Sequence, residues 1–214
     1  MKASDLKHIF TRMPTLLTPR LILRPICEDD AEDMYEYSCL SSVTRYLLWE
    51  PHPDLAYTKC YLDTVREMQR RGEFTDWAVI WRESGKLIGT CGFTSFQPEH
   101  DRGEVGYVLN PAFWGMGIAV EAVMAVMEYG FTFLHLARIE AKYIYGNDAS
   151  RRVMEKCHMQ FEGILRHYMK IKGEYRDIGI CAITSEDFVA RFGSEGGHFA
   201  TIKKERKLLW NFFD

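Results

Sequence analysis

The sequence lacks the features that would place it in a membrane or on a nucleic acid. No run approaches the roughly 18 consecutive apolar residues that a membrane span needs, and residues 1–20 contain no apolar signal core. The 27 basic and 30 acidic side chains give a formal net charge of −3, so no excess of positive charge is present for a nucleic acid or an anionic membrane surface. We therefore expect a cytoplasmic protein without a nucleic-acid or membrane partner.

Metal and disulfide patterns are also absent from the sequence. The seven histidines include no His-x-x-x-His pair, and the six cysteines include no Cys-x-x-Cys pair. Scattered cysteines in apolar or helical segments are typical of reduced, packed thiols. The sequence therefore predicts neither a metal site nor a disulfide framework.

The chain of 214 residues, 47% of them hydrophobic, is long enough for one domain with a substantial core. Periodicity over residues 20–184 predicts the order strand, two helices, three strands, helix, strand, helix and two strands, which is a mixed α+β arrangement. Residues 1–19, which contain Pro14 and Pro19, are interpreted as an N-terminal leader. Residues 185–214 are interpreted as a C-terminal extension, and the aromatic side chains at its end favour docking on the domain or on a second subunit, so that a homodimer is a hypothesis.

Two glycines one residue apart stand between a predicted strand, Glu104 to Asn110, and a predicted amphipathic helix. The joint reads Trp114-Gly115-Met116-Gly117-Ile118-Ala119. A tight glycine turn uncovers backbone N–H groups, and the helix start adds unpaired donors and the positive end of a dipole. Such a joint is typical of a phosphate or pyrophosphate site, although the hexapeptide alone is equally compatible with a tight connection that binds nothing.

Short polar residues mark two further helix starts. Asp54 is the predicted cap of a helix that runs to about Arg70, and Asn147 or Asp148 is the predicted cap of a helix that runs to about Cys157. Both predictions rest on side-chain oxygens that can accept a hydrogen bond from the first turn.

Other residues have two interpretations each. Trp49 lies in the turn-rich segment Ser41 to Pro53 between two predicted helices, where it either lines a substrate pocket or packs as an ordinary core residue. Glu121 and Glu128 belong to the helix after the glycine turn, and we expect both to lie on its solvated side.

The succession of elements and motifs resembles the GNAT superfamily of acyl-CoA-dependent N-acyltransferases, in particular its RimJ/RimL-like branch of ribosomal-protein and small-amine acetyltransferases. The resemblance covers about Arg20 to Thr184. It departs from the usual pattern at Trp114, where Arg or Gln is common, and at Cys157-His158-Met159, where Leu-Gly-Phe is common. The blocks that carry the resemblance are Arg20-Leu21-Ile22-Leu23-Arg24-Pro25, Gly106-Tyr107-Val108-Leu109-Asn110-Pro111, Trp114-Gly115-Met116-Gly117-Ile118-Ala119-Val120-Glu121-Ala122, Arg138-Ile139-Glu140-Ala141, Asn147-x-x-Ser150, Val153-Met154-Glu155-Lys156, Glu162-Gly163-Ile164-Leu165-Arg166 and Tyr175-Arg176-Asp177.

The resemblance implies a fold and a cofactor site. The expected fold is a central, mostly antiparallel twisted sheet with a splayed parallel strand pair and flanking helices. The pantetheine arm of acetyl-CoA is expected in the splay, and its pyrophosphate on the glycine turn. The residues expected to contact the cofactor are Val108, Leu109, Asn110, Trp114, Gly115, Met116, Gly117, Ile118, Ala119 and Asn147.

The resemblance also implies catalytic roles. Glu104 is expected to be the general base, with Glu73 and His100 as weaker candidates. Ser150 is expected to donate a proton to the leaving thiolate, with Tyr143 as the alternative donor. Without these roles, Glu104 is a solvent-facing strand residue and Ser150 helps to cap its helix.

The implied function is an acetyl-CoA-dependent N-acetyltransferase in which a primary amine attacks directly. A protein N-terminal α-amine is the first acceptor hypothesis. The alternatives are a small amine, such as a polyamine, an amino acid or an antibiotic, and a non-catalytic acyl-CoA-binding regulatory module. A protein acceptor requires an open groove beside Trp49, whereas a small cation requires an enclosed acidic pocket.

Overall fold

The structure is a computed structural model that describes residues 10–73 and 76–193 as a mixed α/β fold with one sheet and helices on both of its faces. The strands are β1 (Leu16–Leu17), β2 (Leu21–Arg24), β3 (Asp76–Trp81), β4 (Leu87–Gln97), β5 (Arg102–Leu109), β6 (Arg138–Ile144), β7 (Gln160–Ile171) and β8 (Glu174–Thr184). The helices are α1 (Ala31–Ser38), α2 (Ser41–Thr44), α3 (Leu55–Arg70), α4 (Ile118–Thr132), α5 (Asp148–Lys156) and α6 (Ser185–Phe192).

In the described residues the sheet has eight strands, in the order β1-β2-β3-β4-β5-β6-β8-β7. Every neighbouring pair is antiparallel except β5 and β6, which are parallel. This pair is parallel because α4 carries the chain from the end of β5 back to the start of β6. The expected fold class is thereby confirmed.

The parallel strands β5 and β6 are paired over only three residues each. Arg102 to Glu104 lie opposite Arg138 to Glu140. Beyond this point β5 continues along β4 to Leu109, while β6 continues along β8 to Ile144. The strands therefore part after Glu104, and we call the opening between β5 and β6 the splayed gap.

Alternation along the strands gives the sheet two distinct faces. The face that we call the α4 face packs on α4, α5 and α6 through side chains such as Trp77, Val105 and Ile139. The opposite face, which we call the α1 face, packs on α1 and α3 through side chains such as Ala78 and Ile80. Because successive residues point to opposite faces, the position of a residue along β5 or β6 determines the side of the splayed gap on which it acts.

Helix α4 is buried on more sides than its periodicity predicts. All residues from Ala122 to Phe131 are buried, including Glu128, which is only 4% exposed. The side chain of Glu121 is also largely withdrawn from solvent, with 12% exposure, and its carboxylate lies 2.6 Å from Nε of Arg20. The prediction that Glu121 and Glu128 lie on a solvated side is wrong, because α4 is covered by more than the sheet.

The sheet and core extend beyond residues 20–184. Strand β1 pairs with β2, and the indole N–H of Trp77 donates to the carbonyl of Pro14 at 2.7 Å. At the other end, the ring of Phe188 in α6 lies 4.9 Å from that of Phe131. Residues 10–19 and 185–193 are therefore packed parts of the domain. The aromatic end of the chain, on which the homodimer hypothesis rests, lies outside the described residues.

Within residues 10–73 and 76–193, no helix combines the length and the apolar character needed to cross a membrane.

Candidate active site

Glu104 lies at the point where β5 and β6 part, with its side chain on the α1 face. Its Oε2 lies 2.6 Å from Nζ of Lys142 and accepts a hydrogen bond from Oγ of Ser95 at 3.4 Å. Burial lowers the pKa of Lys142, but the hydrogen bond and the charge of Glu104 outweigh it and raise that pKa above its usual value. Lys142 therefore stays cationic and holds Oε2. Among the described residues no hydrogen bond engages Oε1, so that atom can take a proton.

The backbone of β5 offers only alternate groups to the splayed gap. The N–H of Asn110 donates to the carbonyl of Ile88 on β4 at 2.8 Å. By alternation, the N–H of Val108 also faces β4, whereas Tyr107 and Leu109 face the gap. The N–H groups of Val108 and Asn110 are therefore directed at β4 and not at the splayed gap, and contact of these two residues with the cofactor stays a prediction.

Asn110 and Trp114 instead shape the end of β5. The Asn110 side chain donates to Oε1 of Glu36 at 3.0 Å and accepts from the N–H of Ala112 at 3.0 Å. The indole N–H of Trp114 donates to the carbonyl of Leu109 at 2.9 Å. The groups left facing the gap are the N–H and carbonyl of Tyr107 and the N–H of Leu109.

The glycine turn has the geometry of an anion seat. Gly115 and Gly117 adopt left-handed φ values of 77° and 76°, which side chains disfavour. The carbonyl of Met116 is turned away and accepts from Nη1 of Arg20 at 2.9 Å. A Cβ added at Gly115 would meet no atom within 4 Å, so the turn is open.

Helix α4 adds donors to the same turn. The hydrogen bond that joins the turn to the helix runs from the N–H of Glu121 to the carbonyl of Gly117 at 3.1 Å. The N–H groups of Ile118, Ala119 and Val120 precede it, and among the described residues they have no backbone acceptor. An open turn with unpaired donors at a helix start fits a pyrophosphate.

Ser150 is connected to the splayed gap by a tyrosine that the sequence did not single out. The hydroxyl of Tyr107 lies 2.8 Å from Oγ of Ser150 and donates to the Ser150 carbonyl at 3.1 Å. Burial raises the pKa of Tyr107 and the Ser150 hydrogen bond opposes it, so the phenol stays protonated. The signal for Tyr107 was the alternation Val105, Tyr107, Leu109, which places its side chain on the α4 face.

Asn147 acts as the cap of α5. Its Oδ1 accepts a hydrogen bond from the N–H of Ser150 at 3.2 Å. The predicted cap is thus confirmed, whereas contact of Asn147 with a cofactor stays a prediction. The cap fixes the first turn of α5 and with it the position of the Ser150 hydroxyl.

Tyr143, the alternative proton donor, lies on β6 with its side chain on the α4 face. It is 4% exposed, and its hydroxyl has no hydrogen-bond partner among the described residues. Its ring fills the space left by Gly179, where an added Cβ would lie 2.2 Å from Cζ. Burial raises the pKa of Tyr143. The structure does not connect it to Ser150 by a hydrogen bond.

Trp49 lies on the α1 side of the molecule at the head of a group of aromatic rings. Its ring centroid is 5.2 Å from that of His52. His52 is buried between Thr58 and Ser38, whose hydroxyls lie 2.8 and 3.0 Å from Nδ1, and burial lowers its pKa. Trp49 is half-buried, so its substrate contact stays a prediction.

The weaker base candidates are both exposed. Glu73 follows the end of α3, and His100 lies in the short turn of residues 98–100 between β4 and β5. In the described part of the chain, no group of three or more His, Cys, Asp or Glu side chains could hold a metal ion.

Comparison with known proteins shows the family to which the chain belongs. A family model described as "Acetyltransferase (GNAT) domain" matches residues 20–160. The chain belongs to the GNAT acetyltransferase family. It is therefore an acyltransferase, and GNAT acetyltransferases use acetyl-CoA as the donor.

The alignment with this chain covers nearly the whole length of three GNAT relatives. The uncharacterized N-acetyltransferase p20 of Bacillus licheniformis is 35% identical over 82% of this chain and 99% of the relative. The [ribosomal protein uS5]-alanine N-acetyltransferase of Escherichia coli K12 is 26% identical over 81% of this chain and 92% of the relative. The spermidine N(1)-acetyltransferase of the same strain is 25% identical over 81% and 91%.

Solved structures show the same fold. A GNAT-family acetyltransferase from Bacillus anthracis has a TM-score of 0.72 at 29% identity, covering 81% of this chain and 99% of that one. RimL, a ribosomal L7/L12 α-N-protein acetyltransferase solved in complex with coenzyme A, has a TM-score of 0.69 at 20% identity, covering 80% and 98%. These structures show the fold, and the resemblance to the RimJ/RimL-like branch is supported in sequence by the uS5-alanine N-acetyltransferase.

Proposed function

We propose that this GNAT enzyme acetylates a primary amine that enters from the α1 face, while acetyl-CoA occupies the glycine turn and the splayed gap. The observation that carries the proposal is the placement of polar groups around the gap. Glu104 lies at its apex on the α1 face, and the Tyr107–Ser150 pair lies on the α4 face. A proton acceptor and a proton donor therefore stand on opposite sides of the place where the acetyl group must be exchanged.

Each residue has a separate task in this proposal. Oε1 of Glu104 accepts the proton that the attacking amine must lose, since an ammonium is no nucleophile. The N–H of Tyr107 or Leu109 is available to polarise a carbonyl in the gap. Ser150, held by Tyr107, supplies a proton to the leaving thiolate. Acetyl-CoA supplies the activated acetyl thioester, and holding both reactants together contributes roughly 7–11 kcal/mol when they are aligned.

A protein N-terminal α-amine is the acceptor that we propose first. Aromatic side chains around the α1 side of the gap are open to solvent, which suits an extended peptide better than an enclosed ligand. Tyr168 is 51% exposed beside Lys142, whose Nζ lies 5.7 Å from its ring centroid, and Tyr57 is 53% exposed beside His52. The relative that acetylates ribosomal protein uS5 supports the same acceptor class.

A small cationic amine is the second candidate. Asp76, a half-buried carboxylate on the α1 face, favours it because no described residue neutralises its charge. The relative named for spermidine supports this class as well.

The test is thiol release from acetyl-CoA with N-terminal peptides, polyamines and aminoglycosides as acceptors. Glu104→Gln should lower kcat by about 100-fold or more, because a general base typically contributes that much, while coenzyme A affinity measured by calorimetry stays unchanged. Glu99→Gln, an exposed change in the turn before β5, is the matched control. Undiminished turnover by Glu104→Gln would remove Glu104 from the mechanism, and coenzyme A binding without turnover on any acceptor would favour a non-catalytic binding module.

A further inference from the structure

Asp76 occupies a row of residues that leads across the α1 face to the splayed gap. It is the first residue of β3 and lies opposite Gly92 of β4, which in turn lies opposite Gly106 of β5. Glu104 precedes Gly106 by two residues and therefore shares its face. Two strand spacings, about 10 Å, separate the Cα atoms of Asp76 and Gly106.

Because Gly92 and Gly106 have no side chains, the row between Asp76 and the splayed gap contributes only backbone to this face of the sheet. The space above Gly106 is taken by Thr94, whose Cγ2 lies 2.6 Å from the place of an added Cβ. Thr94 is an exposed side chain whose hydroxyl donates to the carbonyl of Glu104 at 3.3 Å. The two residues of this row and the side chain above Gly106, that of Thr94, are thus small.

Among the described residues, the carboxylate of Asp76 has no counter-ion, whereas comparable carboxylates do. Asp30 is paired with Arg24, Glu121 with Arg20, and Glu104 with Lys142. At Asp76 no described cation or hydrogen-bond donor offsets burial, which raises its pKa to about 7. A carboxylate withdrawn from water gains from a cation supplied by a ligand.

Aromatic side chains lie on the α1 side of the molecule, as Asp76 does. Burial, and then the charge of Asp76, raise the pKa of Tyr61 to about 12. The Tyr61 ring lies 5.5 Å from that of His52, and His52 lies 5.2 Å from Trp49. A carboxylate behind aromatic faces is a typical environment for an ammonium or guanidinium group.

We propose that Asp76 binds a second positive charge of the acceptor while the reacting amine lies beside Glu104. The inference rests on the proposed acetyl transfer and names the acceptor class: a primary amine that carries a further ammonium or guanidinium group. A flexible diamine meets this requirement, and so does a peptide whose second residue is lysine. Asp76 acts on acceptor selection and does not touch the reacting atoms.

The test compares acceptors that differ only in the second charge. The pairs are 1,5-diaminopentane against pentylamine, and two peptides with N-terminal alanine that carry lysine or norleucine at the second position. Asp76→Asn should raise KM for the dicationic member of the preferred pair by about tenfold or more, since a half-buried charge pair is lost. KM for the monocations, KM for acetyl-CoA and kcat should stay within about twofold. Asp63→Asn, an exposed change on α3, is the matched control.

The outcomes separate the two levels of inference. A selective effect on the diamine assigns the site to small amines, and one on the lysine peptide assigns it to protein N-termini. If the enzyme turns over and Asp76→Asn changes KM equally for both members of each pair, the proposed role of Asp76 is overturned, whereas the proposed acetyl transfer stands. Absence of turnover overturns the proposed function. In that case, calorimetric titration with 1,5-diaminopentane and with the lysine peptide tests the role of Asp76 separately. Equal affinity of wild type and Asp76→Asn for both ligands overturns the proposal that Asp76 binds a positive charge.

Discussion

Replacing Glu128 by glutamine should stabilise the protein, and more strongly at pH 8 than at pH 5. The side chain lies on α4 with 4% exposure, and its Oε1 has no hydrogen-bond partner among the described residues. Burial raises the pKa of Glu128 from 4.5 to about 7. Between these values the folded protein keeps a proton that the unfolded chain releases, so the free energy of unfolding falls as pH rises through this window.

The magnitude follows from the width of that window. One pKa unit corresponds to 1.36 kcal/mol, so the full shift amounts to roughly 3 kcal/mol, about three-quarters of it lost between pH 5 and pH 8. Glutamine has almost the same shape and cannot ionise. Relative to wild type, Glu128→Gln should therefore gain about 2–3 kcal/mol between pH 5 and pH 8.

Urea unfolding of both proteins at pH 5, 6, 7 and 8 measures this difference. Asp76 also has a raised pKa and shifts stability in the same direction, but it is common to both proteins and cancels in the difference. Glu99→Gln provides an exposed control for which the difference should stay flat. A difference between Glu128→Gln and wild type that does not grow with pH would refute the burial of an ionisable, unpartnered carboxyl group in α4.

Two further predictions concern the cofactor site and the proton donor. Gly115→Ala, and as its control Gly85→Ala in the turn between β3 and β4, should each cost about 1 kcal/mol of stability. The value of φ is 77° at Gly115 and 73° at Gly85, and an added Cβ meets no atom within 4 Å in either case. Only Gly115→Ala should weaken coenzyme A binding in calorimetry, and equal affinities would refute the anion seat. Tyr107→Phe should lower kcat about fivefold to tenfold without changing KM for acetyl-CoA, since one hydrogen bond to Ser150 is worth about 1 kcal/mol. A larger loss of kcat in Tyr143→Phe than in Tyr107→Phe would instead make Tyr143 the donor.

Features set by neighbouring residues could be predicted from the sequence. The turn that holds Gly115 and Gly117 requires left-handed backbone, which only glycine adopts without strain, so the pattern itself located the turn. Asp54 caps α3 by accepting from the N–H of Tyr57 at 2.7 Å, and Asn147 caps α5. Each of these contacts joins residues within one turn of helix, where chemistry and position are both visible in the sequence.

Features set by packing between distant segments could not be predicted. The partners Glu104 and Lys142 are 38 residues apart, and Tyr107 and Ser150 are 43 apart. Which backbone groups of β5 face the splayed gap depends on the register between β5 and β4. A shift of one residue in that register would exchange the groups that face the gap with those that face β4. Glu128 was misplaced because periodicity shows the face that a helix presents to a sheet but not what covers its other sides.

A crystal structure with bound coenzyme A tests the central claim most directly. We predict that the pantetheine arm lies in the splayed gap, with hydrogen bonds to the backbone of Tyr107 or Leu109, and that the pyrophosphate lies on the N–H groups of residues 118–120. The thiol end should reach the level of Glu104 and Ser150, on opposite sides of the sheet. Coenzyme A bound elsewhere, or bound with its pyrophosphate away from the glycine turn, would contradict this account of the site.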